Sequence, residues 1–153
     1  MNSDRNIKII PKEDAVFWMD GNGVWHNEHG PFEHPKIITY FNRSIQKDEL
    51  GYFVSQDLEG TEERVYFPHE ETAVFAVDIR KGDPVTLVLN TGAGIPVAPE
   101  QLYIENDALF MESPKHLIKF NQQTLAKMAG LFTETGQGLA LVLNGKSYVI
   151  PEK

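Results

Sequence analysis

The apolar positions change their period along the chain, and each change predicts an element. Ala15-Val16-Phe17-Trp18-Met19 and Val24-Trp25-His26 flank Asp20-Gly21-Asn22-Gly23. Two β-rich runs around Asp-Gly and Asn-Gly steps predict a hairpin, because its tight turn needs positive φ. Ile37, Ile38, Phe41 and Ile45 then recur at helical spacing. With Pro35 suited to a first turn and Gly51 to a C-terminal cap, they predict a helix over about residues 35–50. Tyr52–Ser55 and Arg64–Pro68 read as strands, separated by the acidic, turn-forming Asp57–Glu63. Ala73–Ile79 and Val85–Asn90 bracket Arg80-Lys81-Gly82-Asp83-Pro84 as a second hairpin. Ahead of all these, Ile7-Lys8-Ile9-Ile10 interrupts a polar opening segment and predicts an edge strand or a frayed end.

In the second half, Leu102–Glu105 and Ala108–Met111 are short strand candidates around Glu105-Asn106-Asp107. Ser113-Pro114 reads as a helix start, a serine cap followed by proline in the first turn. Leu117, Ile118, Leu125 and Met128 give that helix an apolar side, and Gly130 ends it. Leu139–Leu143, Asn144-Gly145 and Lys146–Pro151 predict a third hairpin. The halves match locally at a constant offset (114 − 35 = 79): Pro35-Lys36 with Pro114-Lys115, and Phe41-Asn42 with Phe120-Asn121. The expected fold is therefore α+β, two similar motifs of antiparallel strands plus one helix, packed into a single compact unit. A polar segment over residues 1–12, a first motif over 13–80 and a second over 81–153 are the expected divisions. Phe41 and Phe120 are expected at equivalent buried positions on the two helices.

Hydrophobic residues at 41% and charged residues at 24% are those of a globular chain. The balance of 14 Lys+Arg against 22 Asp+Glu gives a net charge of −8. No basic stripe is left to release counterions, so no nucleic-acid partner is expected. No run approaches the ~18 apolar residues of a membrane span, so no membrane partner is expected either. Met1-Asn2-Ser3-Asp4-Arg5-Asn6 is polar without an apolar signal core, which points to the cytoplasm. With no cysteine, disulfides, thiolate metal sites and Cys nucleophiles are excluded.

The most reactive-looking stretch is His26-Asn27-Glu28-His29-Gly30-Pro31-Phe32-Glu33-His34. Imidazoles and carboxylates are donors for zinc, nickel or copper, so His26, His29 and His34 define one alternative, a metal-assisted hydrolase. Their spacing fits no closed zinc pattern and Gly30-Pro31 makes a turn, so a solvated loop without metal or cofactor is preferred. Asp20–Gly23 is no calcium loop, since Val24 and Trp25 fall where a ligand and a glycine are required. Thr91-Gly92-Ala93-Gly94 follows a strand as a phosphate loop would, but Ile95-Pro96-Val97-Ala98-Pro99 cannot open the helix that must hold the phosphate. It reads as a turn. Gly-x-Ser-x-Gly, His-Glu-x-x-His and a Walker lysine are all absent, and no catalytic residue is assigned. The candidate ligand site is Trp25, His26, Phe32, His34 and Lys36. The loop after the first hairpin brings these residues to the N-terminus of the helix at Pro35, where unpaired N–H groups and a positive field favour an anion. Pro35 lacks an N–H, so Lys36 and Ile37 would be the donors, and the aromatics offer stacking surface. A small anionic or aromatic ligand touching Trp25 and Pro31–Pro35 is expected, opposed by Glu28 and Glu33.

Asp20-Gly21-x-Gly23-x-Trp25, Gly30-Pro31-Phe32, the helix with Ile38 and Phe41, Gly51-Tyr52-Phe53-Val54, Val65–Phe67 and Glu70–Val77 together carry a resemblance. The chain resembles the uncharacterised bacterial proteins grouped as domain of unknown function 1285, most strongly over residues 14–79. The resemblance implies an α+β fold of two repeated motifs and a ligand-binding or signalling role, and it supplies no active site. The expected function is a non-enzymatic bacterial module that binds a small molecule or a protein in signalling or regulation. The hydrolase above and a structural, dimer-forming protein are the alternatives.

Overall fold

The computed structural model describes residues 6–153, so the first five residues of the polar opening segment lie outside the described residues. The chain is α+β and divides into two compact units, the first ending at Ala73 and the second spanning Val74–Lys153.

The first unit runs β1 (Asn6–Ile10), β2 (Phe17–Met19), β3 (Trp25–Asn27), β4 (Gly30–Pro31), α1 (Pro35–Arg43), β5 (Ile45–Asp48), β6 (Gly51–Leu58) and β7 (Thr61–Tyr66). β5, β6 and β7 form an antiparallel meander, and β1 adds to the free edge of β7 in parallel, with Asn6 opposite Thr61. β2, β3 and β4 form a separate small sheet in which Met19 faces Trp25. The turn between β2 and β3 closes as its residues predict: Asp20 Oδ1 accepts the N–H groups of Asn22 at 2.8 Å and Val24 at 3.0 Å. Phe17, Met19, Trp25, Val54, Val65 and Phe67 are buried and form the core.

Two expectations are corrected here. The helix stops at Arg43 instead of running on to residue 50. Ser44 ends it by donating its hydroxyl to the Tyr40 carbonyl at 2.7 Å, a bond back along the helix that competes with the next turn. Ile45, the fourth member of the helical series, is instead a buried strand residue opposite Val54. The acidic stretch 57–63 is not a long loop: β6 and β7 run up to a two-residue turn at Glu59-Gly60, both with positive φ (50° and 85°). Asp57 faces Glu62 across the ladder. The Glu62 carboxylate is held there by the Ser55 hydroxyl at 2.7 Å and Arg64 Nε at 3.1 Å.

The second unit runs β8 (Val74–Arg80), β9 (Thr86–Leu89), β10 (Gly94–Pro96), β11 (Leu102–Glu105), β12 (Ala108–Glu112), β13 (Leu117–Phe120), α2 (Gln122–Lys127), β14 (Phe132–Thr135), β15 (Gly138–Leu143) and β16 (Lys146–Val149). Six strands form one sheet in the order β10-β9-β8-β13-β12-β11, in which only β8 and β13 pair in parallel. β14, β15 and β16 form an antiparallel meander.

The helix expected to open at Ser113-Pro114 is a third correction. Ser113 makes a tight turn: its hydroxyl donates to the His116 carbonyl at 2.9 Å and accepts the His116 N–H at 3.1 Å. Leu117–Phe120 then alternates half-buried and buried positions, the period of a strand, with Ile118 paired to Val74. The cap of α2 is Asn121, whose Oδ1 accepts the Thr124 N–H at 2.8 Å. Phe41 on α1 and Phe120 on β13 thus lie on different kinds of element, so the equivalence expected at offset 79 does not hold. The elements do share an order, though at no constant spacing (121 − 34 = 87 for the helix caps). A helix capped by a polar side chain, His34 or Asn121, precedes a meander whose last turn is Glu59-Gly60 or Asn144-Gly145 (144 − 59 = 85). Among the described residues no helix is long and apolar enough to cross a membrane.

Candidate functional site

The five residues expected to bind a ligand share one neighbourhood but do not form one surface. Trp25 is 1% exposed, packed against Phe67 at 4.8 Å, Phe41 at 5.3 Å and Phe17 at 5.7 Å between ring centroids. Its indole Nε1 donates to Asn42 Oδ1 at 2.8 Å. Phe32 lies half-buried with its ring edge-on to Phe41. Both aromatics serve the core, so Trp25 offers a ligand no free face. His26 is half-buried, its Nε2 2.7 Å from Asp20 Oδ2 and its ring stacked on Trp18 with planes 5° apart. Burial alone would raise the Asp20 carboxyl, but hydrogen bonds from His26, Val24 and Asn22 outweigh it and hold the carboxyl below its usual range.

His34 is exposed and caps α1, its Nδ1 accepting the Lys36 N–H at 3.2 Å. That N–H is one of the two expected anion donors, with that of Ile37, and the cap occupies it. A depression of about 370 Å³ lies over the first turns of α1, lined by Pro35, Lys36, Thr39 and Tyr40. Only Lys36 of the expected site lines it. His29 is at the surface, 3.6 Å from Glu28. His26, His29 and His34 therefore face different partners, and among the described residues no three histidine or acidic side chains gather to hold a metal.

His69 sits half-buried beside Tyr52 and Phe67, and its Nδ1 lies 2.9 Å from the Glu70 carbonyl. Burial pushes its pKa below the ordinary imidazole value, outweighing the bond to Glu70. Between that lowered value and about 6.5 the unfolded chain binds more protons, so stability rises with pH through this window and falls on acidification. Urea unfolding at about pH 7.5 and about pH 5.5 checks this: the acid-side loss is expected to shrink in His69→Phe. An unchanged difference would assign it to other groups.

The larger recess lies entirely in the second unit. It is a cavity of about 890 Å³ between the β9–β10 hairpin, the 98–101 turn and the segment leaving β12. Its apolar lining comes from Leu89, Ala93, Ile95, Pro96, Ala98 and Met111. The polar rim comes from Thr91, Gln101, Glu112, Ser113, Lys115 and His116. Each wall has a local cause. Gly92, with φ of 96°, lets the chain reverse so that its N–H reaches the Leu89 carbonyl at 2.9 Å. The returning β10 pairs with β9 from Gly94 opposite Val88 to Pro96 opposite Thr86. The Ala98 N–H points at Met111 Sδ at 3.4 Å, tying this wall to β12. The Ser113–His116 turn closes the remaining side. Glu112 Oε1 stands 4.0 Å from Lys153 Nζ, whereas Lys115 has no ion pair among the described residues.

Such a recess binds through apolar contact, with a few polar groups at its mouth to orient the ligand. Nothing in it was singled out as a site from the sequence. The turn at Thr91–Gly94 was read correctly as a turn, and the apolar, proline-bearing run after it was the available signal that a wall follows.

No family model matches the sequence, and no curated protein matches it. Two solved structures match in fold. One is a DUF1285 family protein from Silicibacter pomeroyi, 12% identical, with a TM-score of 0.64 over 95% of this chain and 83% of that one. The other is a DUF1285 family protein from Shewanella baltica, 14% identical, with a TM-score of 0.54 over 78% of this chain and 94% of that one. The strand-rich α+β fold built above is therefore the fold of these DUF1285 family proteins.

Proposed function

We propose that the chain is a cytoplasmic, bacterial member of the DUF1285 family and a non-enzymatic module that binds a small molecule, serving signalling or regulation through the occupied state. The observation that carries the reading is the apolar recess of about 890 Å³ in the second unit. Its volume lies in the range of small-molecule sites, and its lining combines aliphatic side chains with a few polar groups. The absence of a nucleophile elbow, a zinc-protease helix or a phosphate loop from the sequence supports binding over catalysis. The fold likeness supports the family assignment.

Titration of the nitrogen-labelled protein with octanol tests the site. Amide shifts are expected at Ala93, Ile95, Ala98 and Met111, saturating together, and Ala93→Trp is expected to fill the recess and remove them. Shifts confined to other residues, or undiminished in the filled variant, would overturn the assignment.

A further inference from the structure

We propose that the ligand of this recess is an organic acid, its apolar body on the floor and its carboxylate toward Lys115. The inference rests on the binding reading above and adds the chemical class. Three side chains at the mouth can carry charge: Glu112, Lys115 and His116. The Glu112 carboxylate already has Lys153 Nζ at 4.0 Å. In the Ser113–His116 turn the Ser113 hydroxyl uses its one donor on the His116 carbonyl, so it has no second hydrogen to offer a carboxylate. Lys115 stands at the tip of that turn, directly after Pro114, exposed and without an ion pair among the described residues. Lys115 is thus a lining cation without an ion pair among the described residues, set among the aliphatic side chains of the recess. A neutral ligand would gain little from that cation, and an amine would meet it with like charge. The chain as a whole carries −8, so no general field draws anions in, and recognition of an acid must be this local.

Octanoate and octanol, titrated against the wild type, Lys115→Gln and Lys115→Arg, test the class separately from the site. A partly solvated pair is weak, so the ratio of octanoate to octanol affinity is expected to fall about threefold to fivefold in Lys115→Gln and to persist in Lys115→Arg. An unchanged ratio in Lys115→Gln, or octanol binding with no octanoate binding, would overturn the acid assignment and leave the recess as a site. Failure of both probes to shift the amides of Ala93, Ile95 and Ala98 would overturn the binding reading and this inference together.

Discussion

Trp25→Ala is expected to destabilise the first unit by about 3–5 kcal/mol, the cost of removing a large aromatic from a packed core. The indole is 1% exposed and sits at the centre of a ring cluster that joins β2, β3, α1 and the end of β7 through Phe17, Phe41 and Phe67. Removing it also leaves Asn42 Oδ1 without its donor, a partly buried acceptor whose lost bond costs about 1–3 kcal/mol within that total. Urea unfolding followed by circular dichroism measures it. A loss under about 1 kcal/mol would show that the cluster rearranges around the gap and that Trp25 is not its centre.

The same residue shows how far the sequence could be read. Hairpins were legible wherever the turn chemistry was local: Asp20–Gly23, Asn106-Asp107 and Asn144-Gly145 each close a short turn between neighbouring strands. The errors came where one pattern serves two structures. Ile45 continues a helical spacing from Ile37, yet Ser44 bonds back to Tyr40 and the isoleucine joins a strand. Ser113-Pro114 is equally a helix start and a turn, and the choice is made by β8, some forty residues earlier, which gives Leu117–Phe120 a parallel partner. Pairing at that distance leaves no local trace in the residues that depend on it.

The candidate site was legible in a similar measure. Aromatics and histidines drew attention to the first unit, but their concentration there reflects a core: Trp25 and Phe32 pack, His34 caps and His26 binds Asp20. The recess in the second unit is walled by small and aliphatic side chains from several separated segments, none with titratable or metal-binding character apart from its rim. Residues of that kind announce burial, and only the path of β10 past β9 converts them into a lining.

Phe120→Ala is expected to cost the second unit about 3–5 kcal/mol, and Phe41→Ala clearly less in the first. Phe120 is 4% exposed at the end of β13, opposite Ala76 on β8. The carbonyl of Ala76 accepts both the Asn121 N–H at 3.1 Å and the buried Thr124 hydroxyl at 2.8 Å, so the cap and first turn of α2 are anchored beside this ring. A cavity at Phe120 therefore loosens the strand and the helix start together. Phe41 is half-buried on a helix that has no fully buried residue, with its ring edge-on to Phe17, Trp25 and Phe32. Burial of only part of a ring returns only part of the transfer energy, so a loss of roughly 1–3 kcal/mol is expected there. Equal losses at the two positions would mean that Phe41 is as much a core residue as Phe120, against the partial burial described above. A smaller loss at Phe120 than at Phe41 would remove β13 from the core of its sheet.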